Sequence, residues 1–164
     1  MEKENKIDSY LTFKLGRETF AGHIKNVMNI LENREITQVP DTPSYMKGVI
    51  NLRGSVLPVI DLKEKLGMKL TEYTNNTCIL VLNILSENED VNVGAIVDAV
   101  IQVKEVKSEN VLPYPSISNK YKSEIIPGVF KVNDDFIMIL DLDKVFSNIE
   151  TSIFKDETNI KNLK

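Results

Sequence analysis

Apolar and polar residues alternate with period two along much of the chain. In YLTFKL, Leu11, Phe13 and Leu15 fall on one face and Thr12 and Lys14 on the other, which predicts a half-buried strand. A turn at Gly16-Arg17-Glu18 returns the chain as a second strand, ETFAGHI. VMNILENREITQVP predicts one or two more strands, closed by Pro40 and Pro43. Ser44-Tyr45-Met46 predicts a single helical turn. GVINLRGSVLPVID, residues 48–61, is two apolar strands around an Arg53-Gly54 tip. Asp61-Leu62-Lys63-Glu64 has the character of a capping box and predicts a short helix ending near Gly67. Residues 69–77 are a polar connector. TCILVLNIL predicts a core strand, and VNVGAIVDAVIQVKEV two strands broken near Asp98. Residues 107–124, with two prolines and four serines, predict a loop. Residues 1–8 predict a disordered lead. The tail, 147–164, predicts a C-terminal helix that frays.

The second half repeats the first. GVINLRGSVLPVIDLKEKL (48–66) aligns with GVFKVNDDFIMILDLDKVF (128–146) at a constant offset of 80, so Gly48 matches Gly128 and Asp61 matches Asp141. FAGHIKNVMNI (20–30) aligns with VGAIVDAVIQV (93–103) at an offset of 73. The pattern predicts a mainly all-β chain of two five-stranded barrels in a pseudo-twofold arrangement, residues 9–68 forming the first and 77–146 the second. Cores this small stabilise little alone, so the barrels are expected to share an apolar interface with a groove along it. Closing the sheets removes exposed edges.

Composition narrows the function. The 164 residues suit one compact domain, with 42% hydrophobic and 27% charged residues arguing against disorder. The net charge of -4 and scattered lysines predict no nucleic-acid partner. The start is polar and no apolar run nears the ~20 residues that span a bilayer, so a soluble cytoplasmic protein without direct membrane insertion is expected. One cysteine, Cys78, and one histidine, His23, leave little for metal or nucleophilic chemistry. CxxC, HxxxH and phosphate-loop patterns are absent from the sequence, so no cofactor and no metal are expected. Cys78 in its apolar strand predicts a buried thiol. Asp61 and Asp141 occupy equivalent places and read as helix caps rather than a catalytic pair.

The stretch VPDTPSYMKGVINLRGSVLPVIDL resembles the CheW family of chemotaxis coupling proteins, whose pattern VP..P.y..GviNlRG...PviDl it follows nearly position for position. The likeness runs from about Ser9 to Phe146. His23 and the pair Ala21-Gly22 depart from the family pattern, which usually has an acidic or polar residue and Gly-Ile there. The resemblance implies two SH3-like barrels and no enzymatic activity. It implies an adaptor joining chemoreceptor cytoplasmic tips to the regulatory domain of the histidine kinase CheA, held at membrane receptor arrays through those partners. On the matching motif it makes Asn51, Arg53 and Gly54 the candidate interface residues, with Gly48 preceding them. Val27 and Ile30 fit either the core or a partner-facing surface.

Arg53 carries an independent argument. The matching turn in the second half is Asn133-Asp134, ordinary turn chemistry, whereas arginine helps no turn. Its planar donor head suits a partner's carboxylates or carbonyls. Other readings are a CheW-like scaffold of another receptor–kinase pathway, or a small-ligand-binding barrel. The latter requires a titratable cluster inside a barrel, which the sequence does not offer.

Overall fold

The computed structural model describes residues 6–114 and 124–147. Ten strands follow in order: β1 (Ile7–Leu15), β2 (Glu18–His23), β3 (Val27–Glu32), β4 (Met46–Leu52), β5 (Ser55–Asp61), β6 (Cys78–Ser86), β7 (Glu89–Val97), β8 (Ala99–Lys107), β9 (Gly128–Val132) and β10 (Asp135–Leu140). Single helical turns α1 (Leu62–Lys65) and α2 (Leu142–Val145) follow β5 and β10. Asp61 Oδ1 accepts the Glu64 N–H and Asp141 Oδ1 the Lys144 N–H, each at 3.2 Å, so both acids are N-caps. The predicted tail helix beyond residue 147 lies outside the described residues.

The strands form two five-stranded sheets that make barrel-like halves, ordered β8-β1-β2-β10-β9 and β3-β6-β7-β5-β4. We call them barrel one and barrel two. This order corrects the expected division into residues 9–68 and 77–146. Barrel one takes β1 and β2 from the first half and β8, β9 and β10 from the second, and barrel two takes the rest. The chain leaves barrel one through a 3-10 turn at Ile24–Asn26 and returns to it at Asp98, between β7 and β8. A sequence repeat shows which strands are equivalent. It does not show which strands pair, because an alternating strand satisfies its buried face beside any neighbour of like pattern.

Both offsets reappear in the registers. Val59 lies opposite Gly94 where β5 runs parallel to β7, and Ile139 lies opposite Ala21 where β10 runs parallel to β2. The 80-residue shift separates Val59 from Ile139, and the 73-residue shift separates Ala21 from Gly94. Matched bulges confirm the pseudo-twofold: one at Met28 in β3, the other at Ile101 in β8, again 73 apart.

The exchange explains three apolar clusters. Along β6, Ile79 and Val81 face the interior of barrel two, while Leu80, Leu82 and Ile84 face the space between barrels. On β1, Tyr10 joins the interior of barrel one, while Leu11, Phe13 and Leu15 join the shared cluster. Central strands thus bury both faces, which is why TCILVLNIL reads as a continuous apolar run. The space between the barrels is filled by this shared core.

Smaller expectations also change. The strand begins at Ile7, not Ser9, since Ile7 pairs with Lys107 and Asp8 holds His23. Residues 1–5 lie outside the description. Ser44 and Tyr45 form a turn closed by the Met46 N–H to the Pro43 carbonyl, with no helical segment. Cys78 is half-buried at the start of its strand, its thiol donating to the Asn76 carbonyl.

Candidate functional site

The conspicuous local feature is the β4–β5 hairpin. Leu52 pairs with Ser55, so Arg53 and Gly54 alone form the loop. Both have positive φ, 53° and 84°, as a type I′ turn requires. Such a turn matches the right-handed strand twist, but it places an arginine in the left-handed region that Asn or Gly occupies at less cost. Asn51 Oδ1 accepts the Gly54 N–H at 2.9 Å and pins the turn. Asn51, Arg53 and Gly54 are all exposed. The Arg53 guanidinium has no ion pair among the described residues. The equivalent turn in barrel one uses Asn133, φ 56°, in its first position.

Register places the tip. Val59 is level with Gly94 in the parallel β5–β7 pair, so the Arg53-Gly54 tip emerges beside the β6–β7 turn at Glu87-Asn88. One end of barrel two therefore carries an exposed guanidinium without an ion pair among the described residues.

Gly48 is a different case. It is buried, and an added Cβ would lie 2.0 Å from the Thr37 carbonyl oxygen, at φ 141°. Residue 37 crosses there and bridges to Val49, joining the segment after β3 to β4. Its equivalent, Gly128, lies where Leu112 bridges to Val129. Gly48 is a barrel-closing residue and presents no surface to a partner.

Val27 and Ile30 separate. Val27 is half-buried and packs on the shared core, whereas Ile30 is 42% exposed. The bulge inserts Met28, 59% exposed, between them. Val56, one turn-flank from Arg53, is exposed as well. Barrel one repeats the pattern: Ile101 matches Met28, Val103 matches Ile30 and Phe136 matches Val56, all exposed. Sequence reasoning named Ile30 but missed Met28, Val56, Ile101, Val103 and Phe136. The repeat offsets applied to outward strand positions would have found them.

Among the described residues the titratable candidates are held in structural contacts. Asp61 and Asp141 stand in opposite barrels as caps, and Asp61 Oδ2 also accepts the Tyr73 hydroxyl at 2.7 Å. His23 Nδ1 accepts the Lys25 N–H while Nε2 donates to Asp8, each at 3.0 Å. Among the described residues no group of three His, Cys, Asp or Glu converges as a metal site, and no helix is long and apolar enough to cross a membrane.

Comparison with known proteins gives one answer. The family described as CheW-like domain matches residues 9–150. The chain is 35% identical over 141 residues to the probable chemotaxis protein CheW of Rhizobium etli, covering 86% of this chain and 88% of that protein. It is 32% identical over 139 residues to the chemotaxis protein CheW of Thermotoga maritima, covering 85% and 87%. The crystal structure of the scaffolding protein TtCheW from Thermoanaerobacter tengcongensis superposes with a TM-score of 0.75 at 28% identity, covering 86% of this chain and 93% of that one. The intertwined barrels and the Asn51–Gly54 turn are thus those of a family member, and the chain belongs to the CheW-like domain family.

Proposed function

We propose that this protein is a non-catalytic adaptor of chemotaxis that couples chemoreceptors to the regulatory domain of the histidine kinase CheA. Its relatives bear the names chemotaxis protein and scaffolding protein. The observation that carries the reading is the Arg53 tip. A charged side chain that stabilises neither its turn nor a neighbour, and stands in solvent at a barrel end, suits recognition of a second macromolecule. The Asn51–Gly54 hydrogen bond fixes the backbone from which that side chain projects, and Ile30 with Met28 adds exposed apolar area on the same barrel. The pseudo-twofold gives the other barrel an equivalent apolar set, so contacts of barrel on barrel with a CheW-like kinase domain follow naturally. The helical hairpins of receptor tips would lie along the junction of the two barrels. Through such partners the protein works in the cytoplasm at membrane receptor arrays.

The test is titration of the purified chain with the regulatory domain of its cognate CheA and with a receptor tip fragment. Arg53→Glu should weaken one of these by at least about 2 kcal/mol, the hot-spot threshold, with the melting temperature nearly unchanged. Equal loss of stability and binding would make Arg53 a structural residue. No binding by the parent chain would end the adaptor reading.

A further inference from the structure

The apolar core between the barrels attracts the sheets without favouring one angle between them, because burial is non-directional. Two polar clusters cross the same interface. We infer that they are a matched pair of clasps that set the orientation of one barrel on the other.

The first clasp centres on Lys63 of α1, in barrel two, which is 1% exposed. Its Nζ lies 2.8 Å from Asp98 Oδ1 and also donates to the Thr71 hydroxyl. Asp98 sits where the chain crosses back to barrel one. Its Oδ2 accepts the Gly16 N–H of the β1–β2 turn at 2.6 Å, and its own N–H donates to the Lys14 carbonyl at 2.9 Å. A helix of barrel two is thereby tied to a hairpin of barrel one.

The second clasp is the mirror arrangement. Asp143 of α2, in barrel one, accepts through Oδ1 the Leu85 N–H of β6 at 2.9 Å and the Asn26 side-chain N–H at 3.1 Å. Asn26 sits at the other crossing, is buried, and also donates to the Asn83 carbonyl at 2.9 Å. A helix of barrel one is tied to a hairpin of barrel two.

The helix and hairpin positions correspond, while the crossing residues Asp98 and Asn26, 72 apart, fall one short of the 73-residue shift. Lys63 and Asp143 are 80 apart, while Gly16 and Leu85, like Lys14 and Asn83, are 69 apart, the shift that relates β1 to β6. The chemistry does not correspond. In the first clasp the helix supplies the cation and the crossing supplies the carboxylate. In the second the helix supplies the carboxylate and the crossing a neutral amide. The two halves keep the same node with different residues, so the shared property is geometric.

Energetics favour the same conclusion. A buried ion pair is weak evidence for stability, because desolvation offsets most of its attraction and an apolar pair of similar volume often serves as well. What apolar residues cannot supply is direction. Lys63, Asp98, Asn26 and Asp143 are therefore positioning residues: they fix the angle at which the two barrels present their surfaces, whatever the partners are.

Residual dipolar couplings of the labelled full chain test this, with alignment tensors fitted separately to β1, β2, β8, β9 and β10 and to β3–β7. In the parent the two tensors should coincide. In Asp143→Ala, a change at a half-exposed side chain, each barrel should still fit its own tensor, but the tensors should diverge. Asp143→Asn keeps an acceptor oxygen and should restore coincidence. Lys63→Met with Asp98→Leu should also separate the tensors, with little loss of melting temperature; if that double variant does not fold, the Asp143 pair decides alone. Coincident tensors in Asp143→Ala, or equal divergence in Asp143→Ala and Asp143→Asn, would overturn the inference.

Discussion

Asn51 and Gly54 close the β4–β5 turn on each other, Asn51 Oδ1 accepting the Gly54 N–H at 2.9 Å with Arg53 held between them at φ 53°. The middle residue of this closure is the one that local physics would not choose. Asn-Gly is the preferred pair for a type I′ turn, and asparagine tolerates the left-handed region better than arginine. Arg53→Asn should therefore raise stability by about 0.5–1 kcal/mol, in the range of turn-optimising changes. The same variant should lose partner affinity. Urea unfolding of parent and variant, with binding measured in parallel, checks both. Unchanged or lower stability would mean the guanidinium supports the turn.

The two glycines of the β4–β5 hairpin should respond differently to alanine. At Gly48 an added Cβ meets the Thr37 backbone 2.0 Å away at φ 141°, and backbone cannot swing aside. Gly48→Ala should cost about 3 kcal/mol or more, combining clash with strain. At Gly54, φ 84°, nothing lies within 4 Å, so only strain remains and Gly54→Ala should cost about 1 kcal/mol. Equal costs would show that Thr37 yields and that barrel closure does not depend on Gly48.

Much of this was legible in the sequence, for identifiable reasons. Alternation located the strands because each has a buried face, and Asp98 marked a break because a carboxylate cannot continue that face. Asp61 and Asp141 read as caps from local spacing alone. Arg53 stood out because its own turn had no use for it. The exchange of strands was not legible. Val27 faces Leu82 on β6 rather than any residue of β2, and nothing in its alternation says so. Nor did the repeat reveal Gly48 as a closure residue, since that role depends on Thr37, which the fold brings across it. Val27 and Ile30, left open by the pattern, part company through the bulge at Met28, which lets β3 pack Val27 on the shared core and Leu31 inside barrel two.

Tyr73 gives an alkaline signature. Burial raises its pKa most, followed by the hydrogen bond it donates to Asp61 and the negative charges of Asp61, Glu64 and Asp98. A group whose folded pKa lies above its unfolded value stabilises the fold fully below the unfolded pKa, and that contribution is lost as pH rises beyond it. Stability should thus decline above about pH 10, the ordinary tyrosine value. Tyr73→Phe should flatten the decline but not abolish it, because burial and Asp8 also raise Tyr10. Melting temperatures from pH 8 upward would measure this, and identical slopes for parent and Tyr73→Phe would remove Tyr73 from the account.

The exchanged strands predict how the chain behaves when cut. Residues 69–76 are exposed, and their anchors Thr71 and Tyr73 bond to Lys63 and Asp61 on the N-terminal side, so a protease site inserted between Asn75 and Asn76 keeps those contacts within one fragment and should leave folding intact. Cleavage there gives one fragment with β1–β5 and one with β6–β10. Neither fragment contains all five strands of either sheet. If the barrels were built from consecutive halves, each fragment would keep a whole barrel and the pair would be joined only by an interface. In the observed topology β2 hydrogen-bonds to β10 and β5 to β7 across the cut, and the shared core holds side chains from both pieces. The nicked protein should therefore elute as one particle and unfold in a single transition in urea, releasing both fragments together with loss of all strand structure. Fragments that separate in buffer, each retaining its β signal, would contradict the exchange.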